Sequence, residues 1–345
     1  MNASPAPDVS VVIPVYNQGE AIRYCLESVR RAADGLAVEV IVVDDGSEPP
    51  AAGTIGRLSY HPERIIRQAN HGLLHARLAG LDAAVGRYVL FLDSDDLVTR
   101  DKLRLQLSAM DAAQADVSYT DTGRCALAGE YDALAIARDA PAPATRDAAD
   151  FFITLQPAPH SPMFRTDYLR RIVADALFPP SSLYNPVAEI WFYHNAAVHP
   201  AQVCKVPGPL AIIGQHSGAR LTGHWERLGV ASLAVQEAFV RACPATPATA
   251  HVRQLAAEKA FGAWRRLPRG FSPEFGARLL GIWRRCNQRT DLAKLGGNSF
   301  RLLARLLGPV GAGRFLKFAR NPAYARVCTL DDESFGQLMA ALPPP

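Results

Sequence analysis

Residues 88–96 read YVLFLDSDD, an unbroken apolar run (Tyr88, Val89, Leu90, Phe91, Leu92) that gives way at once to Asp93, Ser94, Asp95 and Asp96. A run of this length bounded by a polar cluster has the pattern of a strand buried on both faces, as strands of parallel sheets are. Carboxylates crowded where such a strand surfaces repel one another, and a hard divalent cation with oxygen ligands turns the repulsion into coordination. The stretch therefore predicts a strand that ends in a metal and diphosphate site.

The segments on either side repeat the pattern. Val9, Val11, Val12 and Ile13 lie in a β-branched run ended by Pro14, and Ala21, Ile22, Cys25, Leu26 and Val29 then fall at helical spacing. Residues 38–43 give a second strand before the turn-rich DDGSEPP, 64–67 a third, and 73–85 a helix leading into 88–92. Strands alternating with helices imply a parallel sheet with right-handed crossovers, whose ligands gather beyond the carboxyl ends of the strands. The loops at 14–17, 44–47 and 93–96 are thereby expected to open into one crevice. Further on, 103–110 reads as helix and 116–120 as strand, 138–147 has the composition of a loop or linker, 151–213 is a Pro-rich, loop-rich lobe, and the chain turns helical beyond Gly223.

With 345 residues, 49% hydrophobic and 20% charged, the chain can bury one large domain with additions or two domains. No apolar stretch reaches the ~18–20 residues that cross a bilayer, and the opening MNASPAPDVS has no export-signal pattern, so a cytoplasmic location is expected. Six cysteines scattered without a CxxC pair argue against a zinc site or a disulfide framework. The net charge of +4 conceals an asymmetry, since residues 225–327 hold 18 Lys and Arg against 5 Asp and Glu. There Phe300, Leu302, Leu303, Leu306 and Leu307 interleave with Arg301 and Arg305, and Phe315, Leu316 and Phe318 with Arg314, Lys317 and Arg320. Such helices can lie on anionic lipid, which gives an expectation of peripheral attachment to the inner face of a membrane through 225–327; a bundle with a basic solvated face is the alternative. Nucleic acid is not expected as a partner, because no recognisable binding module accompanies the charge.

Taken together, SVVIPVYNQ, EVIVVDDGS, NHGLLHARLAGLDAAVGRYVLFLDSDD and VPGPLAIIGQH, in this order over roughly residues 9–222, resemble the family 2 glycosyltransferases of the GT-A fold. The resemblance implies an α/β, Rossmann-like and mostly parallel sheet flanked by helices, here with a C-terminal helical extension. The expected division is 1–122 for the nucleotide-sugar half, 123–222 for the acceptor half, 223–330 for the basic helices and 331–345 for a short acidic, Pro-containing tail. It further implies an inverting enzyme that uses Mg²⁺ or Mn²⁺ to move one sugar from a nucleotide-diphosphate donor to the hydroxyl of a saccharide or lipid-linked acceptor, in cell-envelope polysaccharide or glycolipid synthesis.

Position by position, Pro14 and Tyr16 resemble the loop that cradles the nucleotide base, and Asp45 the acceptor for its ring N–H, while Asp44 reads as a helix cap. Arg77 matches a basic position near the diphosphate, where a guanidinium fork suits phosphate oxygens; without that context it reads as a helix-surface arginine. Asp93 and Asp95 form the DxD motif, for ribose and metal respectively, and Asp96 reads either as an outer partner of that site or as a cap for a helix starting near Leu97. Inversion needs a carboxylate opposite the diphosphate to take the acceptor proton. Counting back from Val206, Pro207, Pro209 and Leu210 puts Glu189 at that position, with Ala188 where the family's ED pair has Glu. Asp175 and Asp167 are substitutes, and the alternative for Glu189 is a solvated first-turn residue. Trp191, Phe192 and Tyr193 read as sugar wall, core or both. His216 follows the VPGPL strand, where the family often carries a histidine able to join the metal shell. No QxxRW follows, so one addition per encounter is expected. The competing readings are a catalytically inactive nucleotide-sugar binder and a nucleotidyltransferase, the latter disfavoured because PVYNQGEA holds only Gly19 where a glycine-rich phosphate loop belongs.

Overall fold

The structure, a computed structural model, describes residues 6–216, 218 and 223–344. The expected boundary at 222 and both extreme ends of the chain lie outside the described residues. Four strands, β1 (Val9–Val15), β2 (Val38–Asp44), β3 (Arg64–Arg67) and β4 (Tyr88–Phe91), are joined by α1 (Ala21–Ala32), α2 (Ala51–Ile55) and α3 (Leu73–Ala83). They form the parallel half of a nine-stranded sheet, in the order β3-β2-β1-β4. Each crossover carries the chain back to the same end of the sheet before the next strand starts, so the carboxyl ends of β1, β2 and β4 share one rim: Val15 pairs with Asp44, and Leu92 N–H donates to the Val12 carbonyl.

Strand periodicity divides the core between two faces. Val9, Val11, Ile13, Val40 and Val42 face α1 and α4 (Lys102–Ala113), whereas Val12, Ile41 and Val43 face α3 and the helices beyond it. All seven residues of β1 are buried, which explains the apolar run without alternation. Gly80 of α3 lies so close to β1 that a Cβ there would overlap Val12, so only glycine permits this helix–sheet approach.

Beyond β4 the sheet becomes mixed. β5 (Leu97–Val98), β6 (Val117–Ala126), β7 (Ala137–Arg138), β8 (Met163–Arg165) and β9 (Val203–Gln215) extend it as β4-β8-β6-β9-β5, with β7 on β6. β8 runs antiparallel to β4 and β6, and β9 parallel to β6. Of the two readings of 138–147, loop or linker, the loop holds: past Arg138, which β7 pairs with Gly123, the stretch has no helix or strand and is tied to the sheet where the Ala142 N–H donates to Asp121 Oδ1. No helix begins at Leu97, since Leu97 and Val98 pair with Ile212 and Ala211 of β9.

α5 (Thr166–Ala174) and α6 (Ala188–Ala196) cover the sheet, and the C-terminal helices follow: α7 (Trp225–Ala242), α8 (Ala250–Arg266), α9 (Pro273–Cys286), α10 (Leu292–Leu295), α11 (Asn298–Arg320) and α12 (Asp332–Ala340). His194 of α6 meets Phe239 of α7 edge-on, and Phe261 of α8 packs on Trp283 of α9. A buried pair, Arg278 to Glu237 with bonds of 2.8 and 2.6 Å, ties α9 to α7. The six cysteines are free.

Candidate functional site

The first two loops at the rim are stitched together. Asn17 N–H donates to Ser47 Oγ at 3.0 Å, and Glu48 N–H to Asn17 Oδ1 at 2.9 Å. Pro14 is still within β1, and Tyr16, just past it, is 49% exposed, so the ring stands at the rim rather than in the core. Asp44 accepts from Ser47 N–H at 2.8 Å and from Ala51 N–H, the first residue of α2, at 3.0 Å, so it satisfies a helix-start N–H from the end of β2 while Pro50 holds the N-cap position. Asp45 is buried and accepts from Gln68 Nε2 (2.7 Å), His71 N–H (3.0 Å) and Gly72 N–H (2.7 Å). These donors hold the β2 end against the loop entering α3; Gly72 takes φ +89, a conformation that side chains other than glycine's rarely adopt.

Arg77 and its two carboxylates form the centre of the site. Its Nη2 donates to Asp93 Oδ1 at 2.6 Å and its Nη1 to Glu189 Oε2 at 3.3 Å, so one guanidinium joins α3, the end of β4 and the start of α6. Arg77 has no accessible surface, which corrects the helix-surface reading. The reason is that α3 is apolar on both sides, between the sheet and α6, so a side chain at 77 points inward. Burial pulls the guanidinium toward losing its proton, but the charges of Asp93 and Glu189 outweigh it, so its pKa is raised. Burial raises the Glu189 carboxyl and Arg77 pulls it back, leaving it above the ordinary value.

Glu189 keeps 26% of its side-chain surface, and its ion pair excludes the reading of a merely solvated first-turn residue. Asp167 stands elsewhere: it is the second residue of α5, whose first, Thr166, donates to the Gly86 carbonyl before β4 begins, at the rim opposite Asp93. Trp191, Phe192 and Tyr193 are buried core, not a sugar wall. Phe192 stacks near Phe91 at 5.2 Å, and Trp191 Nε1 donates to the Phe178 carbonyl.

His216 Nε2 lies 3.0 Å from Asp95 Oδ2, and Gly218 N–H donates to its Nδ1, which leaves Nε2 as the nitrogen facing Asp95. A carboxylate oxygen and an imidazole nitrogen side by side, both partly accessible, are a donor pair that suits Mn²⁺ or Mg²⁺ once the bridging proton is displaced. No group of three or more His, Cys, Asp or Glu placed for a metal occurs among the described residues, so a cation here needs ligand oxygens besides these two.

Asp96 is buried. It accepts from Gly214 N–H of β9 at 2.9 Å, and His160 Nδ1 lies 2.9 Å from its other oxygen, so it anchors the loop behind the site instead of capping a helix. β9 presses so tightly here that a Cβ on Gly214 would overlap the Asp95 carbonyl. Cys25 of α1 reaches the Asp93 carbonyl, and burial, then the charges of Asp96, Asp95 and Asp93, push its thiol well up. His160 and the Arg77 bridge were not foreseen; HSP at 160–162 carries no local signal, and the bridge joins residues 16 and 112 positions apart.

The family model described as "Glycosyl transferase family 2" matches residues 10–190. The succinoglycan biosynthesis protein ExoO of Rhizobium meliloti is 37% identical over 124 residues, 36% of this chain and 35% of that protein. The uncharacterized glycosyltransferase YibD of Escherichia coli is 34% identical over 127 residues, 33% of this chain and 36% of that protein. The chain thus matches about a third of the length of these relatives. Across nearly the whole chain, S. aureus TarS 1-349 in complex with UDP-GlcNAc superposes with a TM-score of 0.60 at 17% identity, covering 94% of this chain and 93% of that one. The mannosyltransferase PcManGT of Pyrobaculum calidifontis, solved with GDP-Man and Mn²⁺, does so with a TM-score of 0.52 at 15% identity, covering 91% and 88%. These likenesses show the GT-A fold.

Proposed function

Because the chain belongs to glycosyl transferase family 2, we propose that it moves a single sugar from a nucleotide-diphosphate donor to an acceptor hydroxyl with inversion, and that Glu189 is the base. The observation that carries this reading is the Arg77 bridge, which sets Glu189 within one guanidinium of Asp93. A base needs to be close to the DxD loop yet able to reach an acceptor, and Glu189 is partly exposed there.

In this reading Tyr16 stacks on the nucleotide base beside Pro14, Asp93 meets the ribose, and Asp45, buried with both oxygens accepting from Gln68, His71 and Gly72, meets the base ring on exchanging one of those bonds. Arg77 has no accessible surface and both Nη groups engaged, so it holds Asp93 and Glu189 in place rather than meeting the diphosphate itself. Asp95 and His216 would hold Mg²⁺ or Mn²⁺, which stabilises negative charge on a departing nucleoside diphosphate. Glu189 takes the acceptor hydroxyl proton as that oxygen attacks the anomeric carbon from the face opposite the leaving group. The acceptor, a saccharide or lipid-linked hydroxyl of an envelope polysaccharide or glycolipid, enters over 123–222. One relative named for succinoglycan synthesis and neighbours solved with UDP-GlcNAc or GDP-Man support this choice of donor and pathway class.

The test is nucleoside-diphosphate release from a panel of UDP- and GDP-sugars with Mn²⁺ and saccharide acceptors, with the product anomer read by NMR. Glu189→Gln should lower turnover by about 10²–10⁴-fold while donor binding survives. Full activity in Glu189→Gln would remove the base assignment, and a wild-type chain that binds donor but transfers nothing would be a binder.

A further inference from the structure

We propose that the outer face of α11 docks this protein on an anionic bilayer surface. The inner face of α11 is already used: Phe300, Ala304, Ala312, Gly313 and Leu316 are buried, Phe300 packs on Phe261, and a Cβ at Gly313 would strike Trp264 of α8. The helix breaks at Gly308 (φ +70), with Pro309 opening its second half, so two short helices lie on α8. Their outward side chains ought to be polar if that face met only water. Instead Leu302, Leu306, Leu307, Phe315 and Phe318 are exposed, Leu306 by 78% and Phe318 by 73%. Five of the nine exposed large hydrophobics among the described residues therefore sit on one element, a clustering that isolated surface residues do not show.

The charges around them identify the occupant. Asn298–Arg320 holds Arg301, Arg305, Arg314, Lys317 and Arg320 and no acidic residue. None of the five forms a salt bridge among the described residues; Lys317 lies over the Trp264 ring instead. Arg301 donates to Asn298 Oδ1, but exposed Leu and Phe flanked by cations that no carboxylate among the described residues neutralises match the interface between acyl chains and anionic headgroups. A protein partner would have to supply an acidic rim around an apolar centre. No helix among the described residues is long and apolar enough to cross a membrane, so the contact is a surface one. The proposal stands apart from the chemistry of the carboxylate site.

The experiment is co-sedimentation of the full chain with phosphatidylcholine vesicles, with and without phosphatidylglycerol, at low and high salt. Binding is expected only with phosphatidylglycerol, and should weaken at high salt. Leu306→Glu with Phe318→Glu should weaken it at least about tenfold, and so should Arg305→Glu with Arg314→Glu, each with an unchanged melting temperature because these side chains are exposed. Absence of binding at low salt overturns the proposal. So does sedimentation velocity showing a dimer that Leu306→Glu and Phe318→Glu dissociate while vesicle binding persists, which would assign the face to a second copy of the chain.

Discussion

Replacing Arg77 by Met removes a guanidinium that has no accessible surface and leaves Asp93 and Glu189 facing one another. Their oxygens, 2.6 and 3.3 Å from opposite arms of one fork, would sit on the order of 5 Å apart, and at an effective dielectric of about 20 two such charges repel by roughly 3 kcal/mol. Mutational experience with broken buried pairs gives about 3–5 kcal/mol, of which the lower end applies because each carboxylate keeps 26% of its surface. Urea unfolding followed by tryptophan fluorescence measures the loss, with Trp191 two residues from Glu189 as a local reporter. The sign of the pH dependence follows from Glu189, whose carboxyl is already raised by burial and rises further once Arg77 is gone. A raised carboxyl stabilises the folded state fully below its unfolded pKa and loses that stability as pH climbs through the folded pKa. The deficit of Arg77→Met against wild type should thus be near 3 kcal/mol at pH 7.5 and shrink as pH falls toward about 4.5. A deficit of equal size at both pH values would show lost packing rather than lost charge, and no deficit at pH 7.5 would refute the bridge.

Asp95→Ala should weaken donor binding at least about tenfold in calorimetry with Mn²⁺, and EDTA should do the same to wild type yet add nothing to the variant; unchanged affinity in both removes the cation proposal. Glu237→Ala leaves buried Arg278 with the exposed Glu274 carboxylate at 3.6 Å and the Pro343 carbonyl in place of a buried bidentate partner, and should cost about 3 kcal/mol, the low end for a broken buried pair, in chemical denaturation, with donor affinity intact because the pair lies between α7 and α9. A loss below about 1 kcal/mol would show that water reaches Arg278 once Glu237 is gone.

The strands carrying the rim were legible because each is a local signal, four to seven consecutive residues, mostly apolar, although β1 runs one residue past Pro14 to Val15 and β4 stops at Phe91, short of Leu92. β5 and β7 were not, since two residues have no period to read and become strand only because β9 and β6 offer them partners. The burial of Trp191, Phe192 and Tyr193 was available in principle. Apart from Glu189, His194 and Asn195, Ala188–Ala196 is apolar and shows no sustained polar face, and such a helix is interior rather than amphipathic. Arg77 is the opposite case. Its surroundings are set by chain segments 16 and 112 residues away, and nothing in HARLAG separates an inward arginine from a solvated one.

The departure at Ala188 gains a physical reason from the same bridge. Ala188 has no accessible surface at the start of α6, so a carboxylate there would be stripped of water, whereas one residue further round the helix Glu189 stays partly wet and meets Arg77. With a single acid in place of the family's pair, one guanidinium serves Asp93 and Glu189 together, and it acts on the proposed base in two ways. It fixes the position of the carboxylate and limits how far burial raises its pKa. A base must be ionised to accept a proton, so with Glu189 as the proposed base the acidic limb of the pH–rate profile should track its carboxyl. Taking Arg77 away should therefore move that limb of Arg77→Met to higher pH, measured as kcat/KM against pH where the variant remains folded. A merely structural arginine would lower activity at every pH and leave the limb where it was, and a limb moving to lower pH would contradict both the charge of Arg77 and the role of Glu189.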